Sequence, residues 1–181
     1  MTASDDALAR FPHFALSDEH EDLRKHVREL CEDKIAPGAA HADEAAEFPQ
    51  ASYDALRAMD MHAPHIPEEY GGAGADALAT CIVIEEVARE CASSSLIPAV
   101  NKLGTLPLLL AASEEVKQRY LPPVARGEAM FSYALSEREA GSDTASMACE
   151  ALPEGDGWRL NGHKAWITNA GISQYYTVLA V

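Results

Sequence analysis

Arg126-Gly127-Glu128-Ala129-Met130-Phe131-Ser132-Tyr133-Ala134-Leu135 is where the chain changes character. Before Gly127, apolar residues recur three and four apart, the spacing of helix faces. From Met130 the chain becomes a short run of aromatic and small residues that reads as a strand. Helices come first and strands follow, an α+β order with two modules. The expected division is residues 1–128 as an all-α bundle and 129–181 as the start of an antiparallel β-domain.

Working back from the switch, Ser113 caps a helix with Glu114 and Glu115 in its first turn, where carboxylates suit the helix dipole. Val116, Tyr120, Leu121 and Val124 give that helix a face. Ser93-Ser94-Ser95 opens an apolar helix through residue 110, with Gly104 and Pro107 expected to interrupt it. Asp76 caps another. Residues 77–84 are apolar on nearly every face apart from Thr80, so this helix is expected to be buried, emerging into solvent at Glu85, Glu86, Arg89 and Glu90. Residues 66–74, Ile-Pro-Glu-Glu-Tyr-Gly-Gly-Ala-Gly, form a loop by their Pro and Gly content. A short helix is expected over 51–59. Ser17 caps the first helix, with a stripe of Leu23, Val27, Leu30, Cys31 and Ile35, ended by Pro37-Gly38.

Working forward, Gly155-Asp156-Gly157 is a turn. Asn161-Gly162 is a hairpin signal between 158–160 and 165–168. Residues 174–181 read as a strand. The sequence stops at Val178-Leu179-Ala180-Val181, in mid-strand, which leads us to expect a longer protein or a sheet completed by another chain.

The 181 residues are 48% hydrophobic and 24% charged, enough apolar material for a real core and too much for disorder. Lys and Arg total 14 against 29 Asp and Glu, a net charge of −15. So acidic a chain argues against non-specific nucleic-acid or anionic-lipid binding, which needs clustered cations. No apolar run approaches the ~18 residues of a membrane span. Residues 1–6 are acidic and lack the apolar core of a secretory signal. Cys31, Cys81, Cys91 and Cys149 form no C-x-x-C pair. Three of them lie in apolar helical pattern, so buried free thiols and a reducing cytoplasm are expected. His62-Ala63-Pro64-His65 reads as a loop with two histidines rather than a metal site, since Pro64 breaks the helix that would align the rings and no third ligand is near.

Two segments carry chemistry. Ala134-Leu135-Ser136-Glu137-Arg138-Glu139-Ala140-Gly141-Ser142-Asp143-Thr144-Ala145-Ser146 leaves a strand and enters a small-residue turn. Such a turn exposes N–H groups and hydroxyls to phosphate or carbonyl oxygens. Read alone it is equally a polar loop with capping Ser and Asp. Lys164-Ala165-Trp166-Ile167-Thr168-Asn169-Ala170-Gly171 places an aromatic face beside a hydroxyl donor, suited to a flat heterocycle, although a Trp alone is more often core.

Together these segments resemble the acyl-CoA dehydrogenase family. The first follows its signature of small, aliphatic, Ser/Thr, Glu, two free positions, small, Gly, Ser/Thr, Asp, two free positions, small. The second follows its Trp-Ile-Thr-Asn flavin segment, and residues 66–74 resemble its Pro-Glu-x-Tyr-Gly-Gly loop. The resemblance runs from about Phe14 to Val181. It implies a helical domain, a central β-domain, and a C-terminal four-helix domain absent from this chain, with FAD between the last two. By position, Tyr133, Leu135 and Ser136 border the isoalloxazine, Trp166 and Ile167 flank it, and Thr168 hydrogen-bonds N5. Ser142 reaches the FAD pyrophosphate with its backbone near the thioester, and Gly141 lets the chain approach closely. Ala99, Val100 and Leu103 line the acyl pocket, at sizes compatible with short or medium chains. Glu137 and Asp143 stabilise the turn by accepting N–H bonds. Ser136 stands where many relatives have Thr, and either donates the same bond.

The implied reaction is α,β-dehydrogenation of an acyl-CoA thioester. A glutamate base takes the α-proton, the β-hydrogen leaves as hydride to N5, and electrons pass to an electron-transferring flavoprotein. The base lies in the family's C-terminal half, so no catalytic residue is assigned here. Glu85, Glu86 and Glu90 are explained by a solvated helix face. The resemblance further implies a homotetramer in fatty acid metabolism. Two other readings stay open: a flavin-dependent oxygenase or oxidase on the same scaffold, and a non-catalytic binding or dimerising fragment.

Overall fold

The computed structural model describes residues 15–181. The readings of residues 1–6 and of Phe14 lie outside the described residues. Helix α1, Asp18–Leu30, starts at Ser17, whose hydroxyl accepts the His20 N–H. Val27, Cys31 and Ile35 of the expected stripe are fully buried. Pro37-Gly38 does not end the helix. A π-helical turn, Cys31–Ile35, intervenes, and the Ala36 N–H bonds back to the Cys31 carbonyl. That resets the ladder, so Pro37 falls in the first turn of α2, Ala36–Ala45, where a missing N–H costs little. The backbone turns out only at Ala46, at φ 51.

Helix α3 is Gln50–Ala58 and α4 is Ala77–Glu90, capped by Asp76 through the Ala79 N–H at 2.7 Å. Helix α4 is less enclosed than expected: Ala79, Thr80, Ile82, Val83 and Val87 are buried, but Leu78 and Cys81 face outward. The reverse correction applies to Glu86. It is not on a solvated face but only 4% exposed, because Arg28 of α1 crosses to it with two hydrogen bonds, at 2.8 and 2.6 Å. Of the four free thiols, Cys31, Cys91 and Cys149 are buried.

Helix α5, Ala92–Ala111, runs unbroken through Pro98, Gly104 and Pro107. Gly104 is a contact point rather than an interruption. A Cβ there would lie 2.6 Å from Phe131 Cβ, so glycine lets the helix lie directly against the first strand. By length and mean hydropathy (1.2) this helix could span a bilayer, yet eight of its residues are buried in the bundle. Helix α6, Glu114–Ala125, is capped by Ser113. Two apolar clusters hold the helices. One joins Val27, Cys31, Ile35, Leu56, Val83, Val87, Ile97 and Met130. The other joins Ile66, Tyr70, Leu121, Val124 and Phe131.

Met130 and Phe131 therefore belong to the helical cores, and strand β1, Phe131–Ala134, grows out of them. Strands β2, Glu150–Glu154, and β3, Gly157–Asn161, form an antiparallel hairpin that turns at Gly155-Asp156. Strand β4, Tyr175–Val178, pairs with β1 in parallel, Phe131 opposite Tyr175 and Ala134 opposite Val178. The α+β class stands, with both strand orientations among the described residues. Asn161-Gly162 is not the hairpin turn. A Cβ at Gly162 would sit 2.7 Å from Cys149 Cα, so close approach explains the glycine. Residues 165–168 are not a strand either. Trp166 and Asn169 both adopt left-handed backbone, at φ 62 each, which breaks an extended run.

A buried polar hub ties helices to strand. Asn101, fully buried on α5, donates to the His62 carbonyl and accepts the Phe131 N–H, both at 3.0 Å. His62 and His65 are not simply loop residues. His62 Nε2 donates to the Val124 carbonyl at 2.8 Å, and His65 Nε2 meets Thr105 Oγ1 at 2.7 Å. Burial pushes His65 down to about 4, so it is neutral at neutral pH.

Candidate active site

The end of β1 and the irregular segment after β3 converge on one cleft of about 360 Å³. Tyr133, Leu135 and Ser136 line it from the strand end, and Trp166, Ile167 and Thr168 from the other segment. Val100 and Leu103 of α5 close a third side. Eight residues singled out from the sequence, up to 68 positions apart, thus share one cavity. Gly141 and Ser142 do not line it and lie exposed on the turn beyond, and Ala99 is half-buried on α5 outside the lining.

Hydrogen bonds to backbone carbonyls hold the two segments together. The Ala165 N–H donates to the Ser136 carbonyl at 2.8 Å, and the Ser132 hydroxyl donates to the Thr168 carbonyl at 2.8 Å. Ser132 is fully buried and also meets the Ser173 hydroxyl at 3.0 Å. Beyond the turn, the Thr177 hydroxyl donates to the Gly104 carbonyl at 2.6 Å, so β4 is fastened to α5 as well.

Glu137 and Lys164 form the strongest polar feature beside the cleft. Lys164 Nζ donates to Glu137 Oε1 at 2.7 Å and to the Leu135 carbonyl at 2.9 Å. Glu137 also accepts the Ala148 and Cys149 N–H groups, at 2.8 and 3.0 Å. The turn-stabilising role expected of Glu137 is thus visible in its amide bonds, whereas nothing in the sequence marks Lys164 as its partner. Asp143 differs from expectation: it accepts the Ser146 hydroxyl rather than a backbone N–H. The Lys164 bond, followed by the amide bonds, holds the Glu137 carboxyl at about 2, against an ordinary 4.5. An unfolded chain takes up this proton more readily, so the contribution to stability is complete above about pH 4.5 and is lost as pH falls toward 2. Thermal melts of Glu137→Gln should therefore lie below wild type at pH 7, and the gap should narrow in acid. An equal gap at pH 7 and pH 3 would refute this.

The cleft fits a flat heterocycle. Trp166 is 89% exposed beside it, held by a left-handed backbone that a bulky residue adopts only at a cost. Among the described residues, the Ser136 and Thr168 hydroxyls lining the cleft have no protein hydrogen-bond partner, so both can serve polar atoms on a ring edge.

Comparison with known proteins gives the family. The family models for the acyl-CoA dehydrogenase N-terminal domain and the acyl-CoA dehydrogenase middle domain match residues 17–128 and 132–181. The chain belongs to the acyl-CoA dehydrogenase family. A probable acyl-CoA dehydrogenase of Mycobacterium tuberculosis is 60% identical over 171 residues, covering 94% of this chain and 44% of the relative. The human mitochondrial short-chain specific acyl-CoA dehydrogenase is 41% identical over 156 residues, covering 86% of this chain and 38% of that protein. A solved acyl-CoA dehydrogenase from Bacillus anthracis, complexed with FAD, superposes with a TM-score of 0.82 at 30% identity, covering 91% of this chain and 29% of that one. The chain spans less than half the length of these acyl-CoA dehydrogenases.

Proposed function

We propose that the cleft is one wall of the flavin and thioester site of an FAD-dependent enzyme that dehydrogenates acyl-CoA thioesters between the α and β carbons. The single observation that carries this is the shared lining: both flavin-type segments and the expected acyl-pocket helix meet at one cavity. The cofactor is FAD, which when bound takes up the hydride equivalent leaving the acyl β-carbon. This chain would supply part of the remaining site. Tyr133, Leu135 and Ile167 give apolar contact, which excludes water and strengthens nearby hydrogen bonds. Trp166 would flank the ring, Ser136 would offer its hydroxyl to the polar edge, and Thr168 would donate to N5. Gly141 and Ser142, on the exposed turn outside the cleft lining, would hold the pyrophosphate, with Ser142 also near the thioester. Val100 and Leu103, with Ala99 behind them, form the acyl wall for a short or medium chain.

The electron acceptor we infer is an electron-transferring flavoprotein, on the strength of the family resemblance. A homotetramer serving fatty acid metabolism follows from the same resemblance. A cytoplasmic setting is supported by the four free cysteines.

Thr168→Val tests the site. Valine keeps the shape nearly unchanged and removes the donor, so flavin affinity should weaken, or its reduction potential fall, by the equivalent of ~0.5–1.5 kcal/mol. Redox titration and equilibrium dialysis of the FAD-loaded protein read this directly. An unchanged spectrum, potential and affinity would remove Thr168 from the site.

A further inference from the structure

We propose that Lys164 is a positioning residue for the flavin platform: its ammonium fixes the end of β1 against the segment that carries Trp166 and Thr168. This rests on reading the cleft as the flavin site. The Lys164 side chain is only 9% exposed, as is that of Glu137. The ammonium reaches the carbonyl of Leu135 itself, a lining residue, and the carboxylate two residues further on. On its own segment it lies two residues before Trp166. Glu137 extends the clamp to a third piece of chain through the Ala148 and Cys149 amides. One buried pair thus joins residues 135–137, 148–149 and 164–166.

Irregular backbone gives such a clamp a role beside the bonds of Ala165 to Ser136 and of Ser132 to Thr168. Between β3 and β4 no strand ladder fixes the chain, and Trp166 and Asn169 sit in left-handed conformations. A segment of this kind needs side-chain bonds to hold one geometry. A buried ion pair gains little net stability over apolar residues, because desolvation offsets the attraction, but it specifies one arrangement of its donors and acceptors. Here the arrangement specified is the spacing between Leu135-Ser136 on one side of the cleft and Trp166-Thr168 on the other. Lys164 does this without touching the reacting atoms, and a misplacement of about 1 Å in such a platform costs ~10²-fold in rate.

The test uses the FAD-loaded protein as it naturally occurs, with Lys164→Met, Glu137→Gln and the double variant. Visible flavin spectrum, kcat, KM for butyryl-CoA and melting temperature are measured for each. Lys164→Met should displace the flavin absorption band and lower kcat roughly a hundredfold. KM should change little, because the acyl wall stands on α5. Adding Glu137→Gln removes the orphaned carboxylate. The double variant should regain melting temperature while its flavin band and kcat stay displaced, which a purely stabilising ion pair would not do. If Lys164→Met does not fold, Lys164→Arg keeps the charge, moves the donors, and should shift the same band. Wild-type flavin spectrum and kcat in Lys164→Met, or recovery of both in the double variant, overturns the proposal. Failure of the wild-type protein to bind FAD overturns the flavin reading itself, a separate result.

Discussion

Replacing Asn101 with leucine should lower the melting temperature by roughly 10 °C. Asn101 is fully buried, and its amide serves two backbone groups that have no route to water: the His62 carbonyl and the Phe131 N–H. Leucine fills similar volume but leaves both unpaired. A buried polar group stranded in this way costs ~1–3 kcal/mol, and two are stranded. The same residue also fixes where β1 begins, because Phe131 is the first residue of that strand. The substitution should therefore loosen the cleft two residues on, at Tyr133, and weaken FAD binding along with stability. A melting temperature within 2 °C of wild type, measured by calorimetry, would show that α5 and β1 are held by packing alone.

Residues 1–181 expressed by themselves should show no measurable dehydrogenation of butyryl-CoA or octanoyl-CoA with a dye acceptor. The cleft supplies aromatic, aliphatic and hydroxyl groups, and no carboxylate or imidazole lines it among the described residues. A proton α to a thioester is not removed at useful rates without a positioned base, and general-base help alone is worth ~10²–10⁴ in rate. Glu86 is no substitute. It is occupied by Arg28 between α1 and α4 and does not line the cleft. The same piece should bind FAD weakly, having one wall of the proposed site. Robust turnover by a monomeric 1–181 preparation would place a base within these residues.

Much of this was legible because it is local. Ser17, Asp76 and Ser113 cap helices by reaching three residues along the chain, a distance that sequence shows directly. The α1 stripe and the onset of β1 follow from periodicity. The cleft residues were legible by a different route, the family signature, whose spacing carries the geometry with it. What escaped depends on partners far away in sequence. Glu86 looks solvated because its partner, Arg28, is 58 residues distant. Lys164 and Glu137 are 27 apart, and nothing between them announces the pair. The parallel pairing of β1 with β4 joins strands distant in sequence that both meet α5, and neither strand's composition announces it. Pro37 and Pro107 read as breaks because proline removes an N–H. The π-helical turn absorbs the first, and a helix packed along its length carries the second. Asn161-Gly162 carried a hairpin signal, but Gly162 is needed where the chain passes over Cys149.

The central claim, that FAD lies against Trp166, is tested most directly by fluorescence. Residues 1–181 hold two tryptophans, Trp158 and Trp166. Trp158 is on β3, away from the cleft lining. The natural protein with Trp158→Phe, and the same protein with Trp166→Phe added, are titrated with FAD from the apo form. Their difference isolates Trp166 emission, while the visible flavin spectrum reports binding. The account predicts that Trp166 emission falls in step with binding and saturates with it. Complete FAD binding with Trp166 emission unchanged would contradict it.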